Sequence, residues 1–129
     1  MIPTAITYQA STRSLEIEYE DSEVAVLSAE YLRVLSPSAE VRGHSDDQRV
    51  LQTGKKQVSI DDIEAIGNYA IRLKFSDGHD TGIYSWEYLR ELIDNEPDYW
   101  QKYLQELDAA NASRLPAIPI GQWTPKLTK

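Results

Sequence analysis

The chain contains no cysteine. Disulfides, thiolate zinc sites and iron–sulfur ligation by the chain's own residues are therefore excluded, a composition that suits a reducing compartment. Histidine is nearly as scarce, with only His44 and His79. No apolar run approaches the length that spans a bilayer. The opening "MIPTAITYQAS" has no basic region followed by an apolar stretch, so no secretory signal is read there. The expectation is a soluble, cytoplasmic protein without a membrane partner. Positive charge is also short: 13 Lys and Arg stand against 21 Asp and Glu, for a net charge of −8. Phosphate backbones repel such a chain unless its cations cluster, and they do not cluster in the sequence, so no nucleic-acid partner is expected.

What is present is ordinary for a globular protein. The 129 residues are 41% hydrophobic and 26% charged, enough for one compact core and too apolar for disorder. "AITYQA", "SLEIEYE" and "EVAVLS" read as strands, with Glu20-Asp21-Ser22 turning between the second and third. "SAEYLRVL" changes to helical period, with Ser28 as its cap and Tyr31, Leu32 and Leu35 on one face. From Val50 to Trp86 the pattern is a β-meander, with turn signals at Gly67-Asn68 and Ser76-Asp77-Gly78. Ser85 then caps a helix "WEYLRELI", and Asn95-Glu96-Pro97 breaks it before a second helix over 97–112. Trp100, Tyr103, Leu104 and Leu107 form the packing stripe of that helix. From Pro116 the chain is proline-rich and reads as extended, with Trp123 as a docking residue. The sum is an α+β fold: a small, mostly antiparallel β-sheet of meander and hairpins, a short helix after the third strand, and two C-terminal helices. Residues 1–94 form the main domain, and 95–129 a helix and tail packed on it or extending from it.

Few residues point to catalysis. No glycine-rich phosphate loop occurs, and no G-x-S-x-G elbow sets a serine on a strained turn, although a Ser–His–Asp set can be assembled on paper. Asp61 and Asp62 alternate faces on a strand and do not converge on one bond. His44 and Asp46 spell H-x-D, and His79 would complete a two-His-one-carboxylate triad for non-haem iron. The H-x-D lies in a polar loop rather than at the rim of an iron-enclosing barrel. A small iron-binding protein or enzyme using His44, Asp46 and His79 is thus the alternative reading.

Two longer stretches carry a resemblance. "LEIEYEDSEVAVLSAEYLRVLSPSAEVRG" and "IGNYAIRLKFSDGHDTGIYSWEYLREL" resemble the gamma-butyrobetaine hydroxylase-like N-terminal domain family over about residues 12–93. In that family the loop typically reads C-P-C-A-x-C-R-G, and its cysteines bind a structural zinc with the histidine of the D-G-H turn. Those ligand positions fall here on Ser36, Ser38, Val41 and His79. The resemblance thus implies a zinc knuckle that has lost its thiolates. A serine hydroxyl stays protonated near neutral pH and valine offers no donor, so no metal or other cofactor is expected. Val41 should turn inward, the hydroxyls of Ser36 and Ser38 should bond the turn, and His79 should be a polar residue beside the hairpin. The family domain precedes an iron- and 2-oxoglutarate-bearing barrel in two dioxygenases and ends some iron–sulfur scaffold proteins. The implied role is therefore a non-catalytic interaction or accessory module for an unidentified protein partner. Arg42, Tyr69, His79 and Tyr84 are its candidate surface, while Trp86 reads as core.

Overall fold

The computed structural model describes residues 2–43 and 49–116. His44, Asp46 and the stretch from Ala117 that includes Trp123 lie outside the described residues. Among the described residues six strands and four helices follow in order: β1 (Ala5–Gln9), β2 (Ser14–Glu18), β3 (Val24–Ser28), α1 (Ala29–Val34), α2 (Ala39–Arg42), β4 (Ile60–Ile66), β5 (Ala70–Phe75), β6 (Gly82–Ser85), α3 (Trp86–Asp94) and α4 (Glu96–Ala109). The α+β class and the C-terminal helices agree with the sequence pattern. The strands form two antiparallel sheets of three, β1-β2-β3 and β4-β5-β6. Each sheet is a meander, so its pairing is local.

Alternation decides which faces are buried. In β2, Leu15 and Ile17 are fully buried while Glu18 points to solvent. In β5, Leu73 and Phe75 are buried and Arg72 and Lys74 are not. One core takes side chains from both sheets, from α1 through Tyr31 and Leu32, and from α3 through Leu89 and Leu92. Tyr8 of the first sheet accepts the Ile60 N–H of the second at 3.1 Å. A smaller cluster joins Val34 to Tyr103 and Leu107 of α4. The stripe expected on that helix is thus its packing face. Among the described residues no helix is long and apolar enough to cross a membrane.

Several details differ from the sequence pattern. All six residues of α1 are buried, not one face. Among them, Glu30 is reached by the fork of Arg114 at 2.7 and 2.8 Å, which ties the end of the described chain to α1. The meander begins at Ile60, since Gly54 takes a φ of 70° and the Gly54 and Lys56 N–H groups bond the carbonyls of Ser113 and Arg114. Those backbone groups pair with the C-terminal segment and not with a strand. The last helix stops at Ala109; Asn111, with a φ of 52°, turns the chain, and Ala112 N–H caps the Leu107 carbonyl.

Candidate functional site

Three local devices build the site. Ser28 caps α1 by accepting the Tyr31 N–H, and the helix ends at Leu35. Pro37 cannot continue it. Ser38 then caps α2 by accepting the Glu40 N–H, and Gly43 closes that turn with a φ of 67°. Opposite lies the D-G-H turn between β5 and β6. Asp77 accepts the His79 N–H at 3.2 Å, and Gly78 supplies a φ of 89° that L side chains rarely adopt. The α1–α2 turn and this hairpin pack against each other.

The four ligand-position residues meet there in part. Ser36 Oγ lies 2.8 Å from His79 Nε2, and Ser38 Oγ lies 2.7 Å from Thr81 Oγ1. Ser36 Oγ also accepts the Ser38 N–H at 3.2 Å. Val41 is buried at 2% exposure, and His79 at 6%. The Nδ1 atom of His79 faces Glu40 Oε2 at 3.3 Å. Burial first, and then the Arg33 guanidinium, push the imidazole below its ordinary value, against the opposing pull of Glu40 and Asp77. A neutral ring that donates from Nδ1 to Glu40 and accepts the Ser36 hydroxyl proton at Nε2 satisfies all three groups. Asp77 itself would be raised by burial. The hydrogen bond from Lys55 and the charge of Arg33 outweigh that and hold its carboxyl below the usual range.

This donor set does not suit zinc. Two hydroxyls, one imidazole and an aliphatic side chain supply no thiolate, and the hydroxyls are already bonded to neighbours. The order hydroxyl, imidazole, carboxylate is, however, the order of a serine hydrolase triad. The hydroxyl of that order is buried, although Ser36 also lines the groove described below. Ser36 is 1% exposed, and a Cβ placed on Gly82 would stand 2.6 Å from its Oγ. The backbone of β6 thus closes on the hydroxyl, and the Tyr84 ring stands beside it. Glu40, in the place of the orienting carboxylate, is 64% exposed on its side chain.

Beside this cluster the α1–α2 turn, α3 and α4 enclose a half-open groove of about 610 Å³. Val41, Arg42, Arg49, Tyr88, Tyr99 and Lys102 are among its lining residues. The Arg42 guanidinium sits over the Tyr88 ring, its Cζ 4.8 Å from the ring centroid, and the Tyr88 hydroxyl donates to the Leu35 carbonyl at 2.5 Å. Arg49 Nη2 donates to both carboxylate oxygens of Glu106 at 2.5 and 2.6 Å, and the Tyr99 hydroxyl donates to Glu91 at 2.7 Å. Burial raises the Tyr88 hydroxyl against the pull of Arg42, and it raises Tyr103 to about 12. The hydrogen bond to Glu91 raises Tyr99. The groove's tyrosines are therefore donors at neutral pH.

The candidate surface divides accordingly. Arg42 is exposed and belongs to the groove. Tyr69 is 57% exposed, on the β4–β5 turn away from it. Tyr84 is not surface: it is fully buried and its hydroxyl donates to the Leu32 carbonyl at 2.5 Å. Its place on β6 alternates inward, with Ile83 outward. His79 is likewise interior. Trp86 is half-buried, with its indole N–H on the Asn68 carbonyl. Sequence reasoning missed the groove because its aromatics are split between α3 and the second face of α4. The spacing Tyr99, Lys102, Tyr103, Glu106 was the available signal.

Residues 6–90 match the family model described as gamma-butyrobetaine hydroxylase-like, N-terminal. The chain belongs to this gamma-butyrobetaine hydroxylase-like N-terminal family. Two NMR solution structures resemble it along its length. One is 41% identical with a TM-score of 0.78, covering 96% of this chain and 98% of its own. The other is 46% identical with a TM-score of 0.76, covering 97% and 93%. A crystal structure of a protein of unknown function from Acidithiobacillus ferrooxidans, of the DUF971 family, is 39% identical with a TM-score of 0.59 over 70% of this chain and 90% of its own. No curated protein matches. The gamma-butyrobetaine hydroxylase-like match takes in the α1–α2 turn, the D-G-H hairpin and most of α3, so the serine–histidine cluster lies within it, whereas α4 lies outside it.

Proposed function

We propose that the protein is a non-catalytic accessory module that acts by holding a protein partner, in the service of metal or iron–sulfur proteins. In this reading the α1–α2 turn is a zinc knuckle rebuilt from hydrogen bonds and packing. The Ser36–His79 bond at 2.8 Å carries the reading. It joins a buried imidazole to a buried hydroxyl across the two turns and so supports a structural role for both. Pinned in this way, the α1–α2 turn becomes a fixed wall for the groove beside it.

Three measurements test it. An anaerobic ferrous-iron titration should give no tight stoichiometric binding; binding that disappears in His44→Ala would establish the iron-protein alternative instead. A fluorophosphonate probe should leave Ser36 unlabelled, because its buried hydroxyl packs against the Gly82 backbone. Capture from native lysate should return the same protein in repeated preparations. Labelling of Ser36 would make the chain an enzyme and end the accessory reading.

A further inference from the structure

We propose that the groove between the α1–α2 turn and helices α3 and α4 is a docking site for an acidic peptide segment of a partner protein, with Arg42 and Lys102 receiving its carboxylates. This rests on the accessory-module reading and names the chemistry of the partner. The groove's volume of about 610 Å³ lies within the range of clefts that hold ligands. Its charge balance is the argument. Arg42, Arg49 and Lys102 line it against the carboxylates of Glu91 and Glu106. Glu106 is occupied by Arg49, and Glu91 accepts from Tyr99. Arg42 and Lys102 have no carboxylate partner among the described residues, and both face the groove. Arg13, Lys56 and Lys74 also lack one among the described residues, but they stand on a turn, a loop and a strand that do not line the groove.

Arg42 is prepared for a carboxylate. Its guanidinium sits over the Tyr88 ring, and Tyr88 is anchored through its hydroxyl to the end of α1. A guanidinium carries paired N–H groups that match the two oxygens of a carboxylate. A side chain already held in place loses less entropy on binding. The net charge of −8 works against an acidic partner at long range. At physiological salt that repulsion fades beyond about 8 Å, so contacts inside the groove decide the outcome.

The test uses the full chain and three acetylated hexapeptides: one of alternating Glu and Asp, its Gln and Asn counterpart, and an all-Lys version. Amide shifts in a nitrogen-15 spectrum report where each binds. The acidic peptide should shift the amides of Gly43, Tyr88, Tyr99 and Lys102 saturably, and the amide counterpart should bind at least tenfold more weakly. The double variant Arg42→Gln, Lys102→Gln should weaken the acidic peptide at least tenfold while keeping a folded spectrum, because both side chains are at the surface. Lys74→Gln removes a cation outside the groove and should change nothing. Equal binding of all three peptides, shifts centred elsewhere, or an unchanged affinity in the double variant would overturn the proposal. Sedimentation showing self-association that Arg42→Gln abolishes would assign the groove to a second copy and overturn it also. Iron binding or Ser36 labelling would strike the accessory reading itself and would leave these peptide affinities as measured, so the two failures are separable.

Discussion

Ser36 is almost fully buried, hydrogen-bonded to His79 and accepting from Ser38. Gly82 is the reason the hydroxyl fits, because any Cβ there meets Ser36 Oγ at 2.6 Å and the Tyr84 ring at 3.1 Å. Its role is close approach, not backbone freedom. Gly82→Ala should therefore destabilise the protein by about 1–3 kcal/mol, the usual cost of overpacking. Ser36→Ala alone should cost a similar amount, about 1–3 kcal/mol, by leaving His79 Nε2 buried without its hydroxyl. The double variant is the informative one. Removing the Oγ removes the clash, so the two costs should not add, and a coupling of about 1 kcal/mol or more is expected from urea denaturation. Strict additivity would mean that the two positions do not touch in solution.

At the scale of elements, the α1–α2 turn and the β5–β6 hairpin join residues about forty apart in sequence, and the sequence shows why they can. Pro37, the Ser38 cap and Gly43 shape one side, and Asp77 and Gly78 shape the other. This much was legible, because capping and turn residues act locally. That Ser36 would meet His79 came from family resemblance rather than from spacing. The inward turn of Tyr84 was missed because an exposed aromatic and a core aromatic look alike until strand register is known. If the turn keeps the geometry of a metal knuckle, the triple change Ser36→Cys, Ser38→Cys, Val41→Cys should create a zinc site, with zinc–sulfur distances of about 2.3 Å by X-ray absorption. Zinc should then raise the melting temperature of that variant relative to chelator, since it binds the folded state alone. Adding His79→Ala should weaken the binding. A triple variant that binds no better than the parent, or equally well without His79, would show that the positions do not converge as a ligand set.

For the whole molecule, the division into two sheets was not legible, because alternation fixes which face of a strand is buried but not which strands share a sheet. The pairing of Gly54 and Lys56 with the C-terminal segment, and the Arg114–Glu30 fork, were equally hidden, since each joins residues far apart by groups that every chain carries. These ties make folding stability a property of the entire chain, and pH probes it as a unit. Acidification has two opposed effects. Neutralising carboxylates relieves the self-repulsion of a chain at −8 and so favours the compact state. His79 works the other way. Burial and Arg33 hold its folded value below 6.5, so the unfolded chain takes up the proton more readily. Stability from this group is fully present above about 6.5 and is lost as the pH falls through the depressed folded value. Asp77, also held low, adds a second loss in the same direction at more acid pH, below its ordinary value of 3.8. The urea midpoint of the parent should therefore fall between pH 7.5 and pH 5 relative to that of His79→Gln. The variant keeps the ring's neighbours but cannot titrate, and it retains the same carboxylates and His44, so the difference between the two curves isolates His79. Parallel curves across that interval, or a parent that gains stability relative to the variant on acidification, would mean that His79 is not held neutral in the folded state.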